Sequence, residues 1–351
     1  MLRPLKTFSR RVYRTLRPPK IQRYASFELV GPCNLHCSYC LRSESMLYGK
    51  AAFLPRESVR RILEGLRKDW GEFSLTLTGG EPTLHPEFGG VLDDAAALGL
   101  RYKVVTNGWH FDKVVDSLIR TRERLMSISF SLDGATREAH DLFRGKGSFD
   151  RLMKGITAAK HHRLPFQINV VLRKDTRPQM EAIALLGARL GSKGVNFGAM
   201  LPTSAENFSR HALTPAEEKD AEREGLELSR VFKMPVRVPF VLYRPQGGAH
   251  CYPLSGRAIN IDHLGQMTLC ANLSFFRGGQ CAAEVAGGAD IPPGALIAGL
   301  GEIQRTTLAA RDAALEACAR DGRSPGTFLS SPCLSCLKRF DKAPWSEEIR
   351  A

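Results

Sequence analysis

No run of about 18 uninterrupted apolar residues occurs anywhere in the 351-residue chain, so a membrane-spanning helix is not expected. The opening residues also lack the apolar core of about seven residues or more that a secretory signal needs. No internal repeat is found. There is no phosphate loop either, because Gly145-Lys146-Gly147-Ser148 lacks the gap that separates the first Gly from the Gly-Lys pair. Acidic residues are absent from the first 23 positions, where Arg3, Lys6, Arg10, Arg11, Arg14, Arg17, Lys20 and Arg23 account for much of the net charge of +14. Hydrophobic residues at 43% and charged residues at 25% exclude a disordered or collagen-like chain. A chain of this length buries about three quarters of its unfolded surface and needs no disulfides to fold.

What is present in excess is cysteine, nine in all: Cys33, Cys37, Cys40, Cys251, Cys270, Cys281, Cys318, Cys333 and Cys336. An odd count with tight local spacings and no export signal argues against a disulfide framework. It points to thiolates kept reduced in the cytoplasm as ligands of a metal or cluster. The basic opening segment carries Leu5, Phe8, Val12 and Leu16 at helical spacing among its arginines. A solvated leader is the plain reading, and peripheral contact with a membrane or other anionic surface is the sharper one.

The stretch from Phe27 to about Leu201 alternates short apolar runs with helical patterns. Residues 27–30, 75–78, 102–106, 126–132, 166–172 and 195–200 read as six strands. In the helical pattern over 56–66, Val59, Ile62, Leu63 and Leu66 share one face. A second helical pattern covers 149–159. This alternation predicts a parallel α/β sheet closing into a partial (β/α)6 TIM-like barrel, with ligands beyond the carboxyl ends of the strands. Further on, Thr214 is the N-cap of a charged helix, with Pro215 in its first turn and Glu217 closing a capping box. Residues 259–261 and 266–269 read as a hairpin about Asp262-His263-Leu264-Gly265. Residues 301–320 read as a helix. The organisation expected is a basic extension over 1–24, a barrel core over 25–201, a connecting helical segment over 202–250, a small α+β domain over 251–340 and a tail over 341–351.

Directly after the first strand stand Cys33-Asn34-Leu35-His36-Cys37-Ser38-Tyr39-Cys40. Soft thiolates at this spacing suit an iron–sulfur cluster or zinc. Three ligands would leave one iron of a [4Fe–4S] cube open, whereas zinc would take His36 or a distant residue as its fourth. The motif, with Tyr39 before its last cysteine, resembles that of the radical S-adenosylmethionine (SAM) enzymes. Thr78-Gly79-Gly80-Glu81-Pro82 at the second strand's end resembles the GGE motif of that family. Thr106-Asn107-Gly108, Ser129-Phe130-Ser131-Leu132-Asp133-Gly134 and Arg144-Gly145 follow in its order. The resemblance implies a SAM-binding [4Fe–4S] cluster on Cys33, Cys37 and Cys40. It implies acceptors for the SAM ammonium from Gly79, Gly80 and Glu81, ribose contacts from Ser131 and Asp133, and Arg144 as partner of the SAM carboxylate. Reductive cleavage of SAM would then give a 5′-deoxyadenosyl radical that removes a hydrogen atom from the substrate, with electrons from a donor such as flavodoxin or ferredoxin.

Cys251, Cys270, Cys333 and Cys336 make a second set, with Gly265 turning the hairpin that brings the first two together. Four thiolates hold zinc or a cluster. The arrangement resembles the twitch domain, a shortened SPASM domain with one auxiliary [4Fe–4S] cluster; no cysteine follows Cys336 to build a second. Cys318 reads as a buried small hydrophobe and Cys281 as a loop cysteine that is either incidental or an extra ligand. His85, His110, His140 and His263 are expected to be surface or capping residues. The function expected is oxidative modification or maturation of a peptide or protein side chain. Dehydrogenation of a small polar metabolite such as an amino sugar is the alternative within the family. A zinc-binding, nucleic-acid-binding protein is the alternative outside it.

Overall fold

The computed structural model describes residues 23–40, 53–201, 204–240, 251, 253–271, 284–285, 293–321 and 331–339. Most of the basic opening segment, Cys281 and the expected tail over 341–351 lie outside the described residues.

Six β/α units build the core. The strands are β1 (Tyr24–Val30), β2 (Ser74–Gly79), β3 (Arg101–Thr106), β4 (Leu125–Ser131), β5 (Phe166–Leu172) and β6 (Val195–Ala199). The helices that follow them are α1 (Arg56–Trp70), α2 (Phe88–Ala97), α3 (Val115–Arg120), α4 (Arg137–Arg144), α5 (Ser148–His161) and α6 (Met180–Leu190). Each strand pairs parallel with the next, giving the α/β partial barrel expected from the alternation. α1 buries Val59, Ile62, Leu63, Leu66 and Trp70 along one stripe. α6 lies on the same side of the sheet as Val195 and Ile168, close enough that a Cβ on Gly187 would meet both side chains.

The strands alternate sharply. In β2, Leu75 and Leu77 are fully buried, while Thr76 and Thr78 on the other face are half-buried. Each fully buried leucine contributes about 1.5–3 kcal/mol. The opposite face is polar and cross-linked: Gln167 Nε2 donates to Ser129 Oγ at 2.8 Å and Asn196 Nδ2 to Asn169 Oδ1 at 3.1 Å. Parallel strands covered on both faces by apolar groups read as continuous hydrophobic runs. The alternation here leaves a hydrogen-bonding concave face.

Beyond β6 come α7 (Ala205–His211), α8 (Pro215–Val231) and β7 (Val236–Phe240). The predicted capping box is present, with Thr214 and Glu217 capping each other. β7 adds to β6 in parallel, so the segment read as a helical connection also supplies a strand. Ser229 Oγ near the end of α8 accepts the Val236 amide at 2.8 Å and fixes that turn. On the other edge, β8 (Ala258–Ile261) pairs parallel with β1, followed by antiparallel β9 (Met267–Thr268) and β10 (Glu284–Val285). One ten-stranded sheet results, in the order β10-β9-β8-β1-β2-β3-β4-β5-β6-β7. The hairpin turn is made by Asp262, whose Oδ1 accepts the amides of Leu264 and Gln266, and by Gly265 at φ +79°. Helices α9 (Pro293–Arg320) and α10 (Pro332–Arg339) complete the described chain. No helix among the described residues is long and apolar enough to cross a membrane.

A candidate cluster and cofactor site at the carboxyl ends of the strands

The carboxyl end of β2 is locked onto the entry to the cysteine loop. Gly80 N donates to Val30 O at 2.9 Å and Glu81 N to Pro32 O at 3.1 Å. A Cβ on Gly80 would lie 1.9 Å from the Pro32 oxygen. One on Gly79, whose φ is +136°, would lie 2.5 Å from the Val30 oxygen. Two glycines are required here because backbone meets backbone. The close approach they allow is to the cysteine loop itself, a role the sequence reading assigned to the ligand.

Glu81 is buried, and its carboxylate receives four protein donors. Oε1 accepts Thr83 N (3.2 Å), Thr83 Oγ1 (2.6 Å) and Thr106 Oγ1 (2.7 Å), and Oε2 accepts Asn107 N (2.7 Å). Burial pushes this carboxyl up against those hydrogen bonds. The residue therefore ties the end of β2 to the end of β3. Asn107 passes the connection on, donating Nδ2 to Asn34 Oδ1 at 2.9 Å and to Cys33 Sγ at 3.7 Å.

The three thiols sit at this junction. Cys37 is buried, and Cys33 and Cys40 are half-buried. Burial, with the charges of Glu81, Cys37 and Cys40 adding to it, pushes the Cys33 thiol up to about 12, against one amide donor from Leu35. Burial raises Cys37 as well, opposed by Arg144. The thiols sense one another electrostatically, yet no three His, Cys, Asp or Glu side chains among the described residues converge tightly enough for a single ion. His36 is exposed. Cys33 and Cys37, whose burial opposes ionisation, fit together with Cys40 as thiolate ligands of a cationic group such as a [4Fe–4S] cube. The Asn34 Nδ2 beside them is buried without a partner among the described residues, a donor ready for a sulfur acceptor.

Behind the loop lies a buried charged group. Asp133 is fully buried, and its Oδ2 accepts the Tyr39 hydroxyl and, at 2.7 Å, Arg144 Nε. Its Oδ1 accepts Val171 N at 2.8 Å. Burial opposes its ionisation, but Arg144, Arg173, Tyr39 and Val171 outweigh it and hold the carboxyl below its usual range. Asp133, expected from the resemblance to meet the ribose, uses three of its acceptor positions on the protein and anchors Arg144 and Tyr39. Arg144 gives Asp133 only its Nε, and its terminal nitrogens remain for an anion. Ser131 is half-buried at the end of β4. The pair fits the carboxylate and hydroxyl groups of SAM in chemical type.

His140 is buried, contrary to the surface or capping expectation, and its Nδ1 accepts the Asp133 amide at 3.1 Å. Burial, with Arg144 nearby, lowers it to about 4, so the ring is neutral. His85 is buried too, with Nε2 on Leu54 O at 2.8 Å and Nδ1 accepting Glu87 N at 3.1 Å. Both are structural. The sequence reading missed Arg173, which follows β5 and is fully buried, with its guanidinium 3.8 Å from the Phe143 ring centroid and 4.5 Å from that of Tyr39. An arginine just past a strand gives no signal in sequence that distinguishes it from a surface residue.

The members of the second cysteine set lie close enough to act on Cys333 electrostatically, although here too no three among the described residues converge tightly enough for a single ion. Cys251 and Cys270 flank the hairpin, while Cys333 and Cys336 lie on α10, and all four pack against the core. Burial and then the charges of Cys270, Cys251, Cys336 and Glu218 push the Cys333 thiol far up. Cys318 is half-buried in α9, so its buried reading is only partly met.

Comparison with known proteins agrees with this geometry. The chain is 30% identical over 196 residues to an AdoMet-dependent heme synthase of Methanosarcina barkeri, covering 56% of this chain and 55% of that protein. It is 26% identical over 254 residues to the antilisterial bacteriocin subtilosin biosynthesis protein AlbA of Bacillus subtilis, covering 71% and 54%. The matches thus span about half the length of these relatives. Among solved structures, native anSMEcpe with bound AdoMet aligns with a TM-score of 0.64 at 14% identity, over 93% of this chain and 97% of that one. Streptococcus suis SuiB bound to precursor peptide SuiA aligns at 0.62 and 14%, over 85% of this chain and 72% of that one. These two share the fold. Residues 28–187, which contain the cysteine loop, Glu81, Asp133, Arg144 and Arg173, match the family described as the radical SAM superfamily, and this stretch is a radical SAM superfamily domain.

Proposed function

We propose that the chain is a radical SAM enzyme that oxidatively modifies a peptide or protein side chain. The observation that carries the chemistry is the junction of Cys33, Cys37 and Cys40 with the Gly79-Gly80-Glu81 strand end inside a radical SAM domain. A [4Fe–4S] cluster on the three thiolates, with SAM bound, supplies reductive cleavage of SAM and hydrogen-atom abstraction. The chain's own residues bind and orient. Asn107 and the Leu35 amide donate to the Cys33 sulfur. Arg144, held by Asp133, would pair with the SAM carboxylate, and Ser131 would meet its polar groups. Glu81 keeps the strand ends in register.

Cys251, Cys270, Cys333 and Cys336 are proposed to hold one auxiliary [4Fe–4S] cluster in a twitch-like region over 251–340. The mutual influence of the four thiols supports it. The electron donor is proposed to be a flavodoxin or ferredoxin, and the compartment a reducing cytoplasm suited to seven ligand thiolates.

The peptide reading draws support from a relative named for bacteriocin biosynthesis and from a neighbour solved with its precursor peptide. The polar concave face, with Gln167, Asn169 and Asn196, suits the amides of an extended chain. A small polar metabolite is the second reading, favoured by the relative named as a heme synthase. The test is 5′-deoxyadenosine formation by reconstituted protein with dithionite and SAM. Stimulation of that background by a pool of acidic peptides, and not by amino sugars or tetrapyrroles, supports the peptide reading. The reverse pattern sinks it.

A further inference from the structure

Arg173 is a buried charged residue that the proposed reaction leaves without a task. Its side chain has no exposure, and Nε, Nη1 and Nη2 each lack a hydrogen-bond partner among the described residues. A guanidinium stays charged in proteins, so a positive charge with no hydrogen-bonding partner among the described residues is fixed in the interior. Its carboxylate neighbour Asp175 stands 3.9 Å from Nε, but is 43% exposed and shared with His211. Asp133 is matched by Arg144 at 2.7 Å. The group formed by Tyr39, Asp133, Arg144 and Arg173 therefore carries one positive charge in excess. Stacking on Phe143 and Tyr39 offsets part of the desolvation cost.

The guanidinium nitrogens have essentially no accessible surface, so no ligand can touch them. Whatever Arg173 does, it does through its field and its stacking. Tyr39, on which it stacks, lies between Cys37 and Cys40 in the loop. We propose that Arg173 is a positioning residue whose buried positive charge stabilises the reduced state of the iron–sulfur cluster held by Cys33, Cys37 and Cys40. Reduction adds one negative charge to a group already carrying three thiolates. A fixed cation in low-dielectric surroundings favours that state, and net charge is among the determinants of cluster potential. The inference rests on the cluster reading given above.

The test is a redox titration of the reconstituted full chain without SAM, followed by electron paramagnetic resonance. The signal from the site is identified as the one absent in a Cys33/Cys37/Cys40 triple alanine variant. Arg173→Gln is expected to leave about tenfold fewer reduced site clusters at a fixed poise, a shift of ~59 mV to lower potential. Arg173→Lys is expected to restore most of the shift. Phe143→Leu, which loosens the stack and keeps the charge, is expected to leave the midpoint in place. An unmoved midpoint in iron-replete Arg173→Gln overturns the inference, as does a shift in Phe143→Leu equal to that in Arg173→Gln. If the Gln variant does not load iron, Arg173→Met takes its place: a fall in the midpoint supports the inference, and an unmoved midpoint overturns it. A wild-type chain with no site signal overturns the cluster reading instead, which keeps the two failures apart.

Discussion

Around Asp133 two side chains, Tyr39 and Arg144, and one amide converge on a buried carboxylate, and His140 completes the arrangement by accepting the Asp133 amide. Removing one member of a buried ion pair costs about 3–5 kcal/mol. Asp133→Asn is therefore expected to lower unfolding free energy by about that much in urea titration, and to weaken SAM binding because Arg144 loses its anchor. His140 gives a pH signature with a defined sign. Its folded value of about 4 lies below the ordinary histidine value of 6.5, so the unfolded chain binds more protons between the two. Stability is full above about 6.5 and falls as the pH drops toward 4, by about 3 kcal/mol for a shift of this size. His140→Gln should flatten that segment of the stability profile, and an equally steep fall in the variant would contradict the assignment. At this scale the cysteines were legible because their chemistry needs few other residues to be recognised. Asp133 and Arg173 were not, since their roles depend on which neighbours the fold brings to them.

Strands and helices follow from the pattern of apolar residues with little left over. The six core strands expected at 27–30 through 195–200 are the six found, most extended by one to three residues at an end. The 3.6-residue stripe of α1 and the two-residue alternation of β2 have one reading each. β7 escaped because Val-Arg-Val-Pro-Phe contains a proline and offers only a short alternation. Its position is set by α8, whose Ser229 holds the Val236 amide. Thr214→Ala, which removes the N-cap oxygen of α8, should cost about 1 kcal/mol in urea unfolding while leaving site iron intact. Gly80→Ala should act in the opposite way. Its Cβ would strike the Pro32 carbonyl, so the far-ultraviolet dichroism should persist while iron bound at the site and 5′-deoxyadenosine formation fall at least about tenfold, as befits a backbone clash at the cluster loop.

At the scale of the whole chain, one sheet carries both cysteine groups. The first lies past β1; of the second, Cys251 and Cys270 flank the hairpin that hydrogen-bonds to the outer edge of β1, and Cys333 and Cys336 lie on α10. Sequence spacing groups Cys251, Cys270, Cys333 and Cys336 and assigns them to a region over 251–340. The parallel pairing of β8 with β1 is a contact across more than two hundred residues, which local pattern does not encode. If the second group holds an auxiliary cluster, the reconstituted chain should bind about eight irons, as two four-iron cubes require. Substituting Cys333 and Cys336 by alanine should reduce this to about four without abolishing SAM cleavage.

The most direct test is anaerobic reconstitution followed by dithionite and SAM, with iron, sulfide, zinc and 5′-deoxyadenosine measured on the same samples. The wild-type chain is predicted to be brown, to bind iron and sulfide rather than zinc, and to release 5′-deoxyadenosine. The Cys33/Cys37/Cys40 triple alanine variant should retain the auxiliary iron and release none. A colourless, zinc-bearing protein without 5′-deoxyadenosine would contradict the account and return the two cysteine groups to a structural, metal-stapled role.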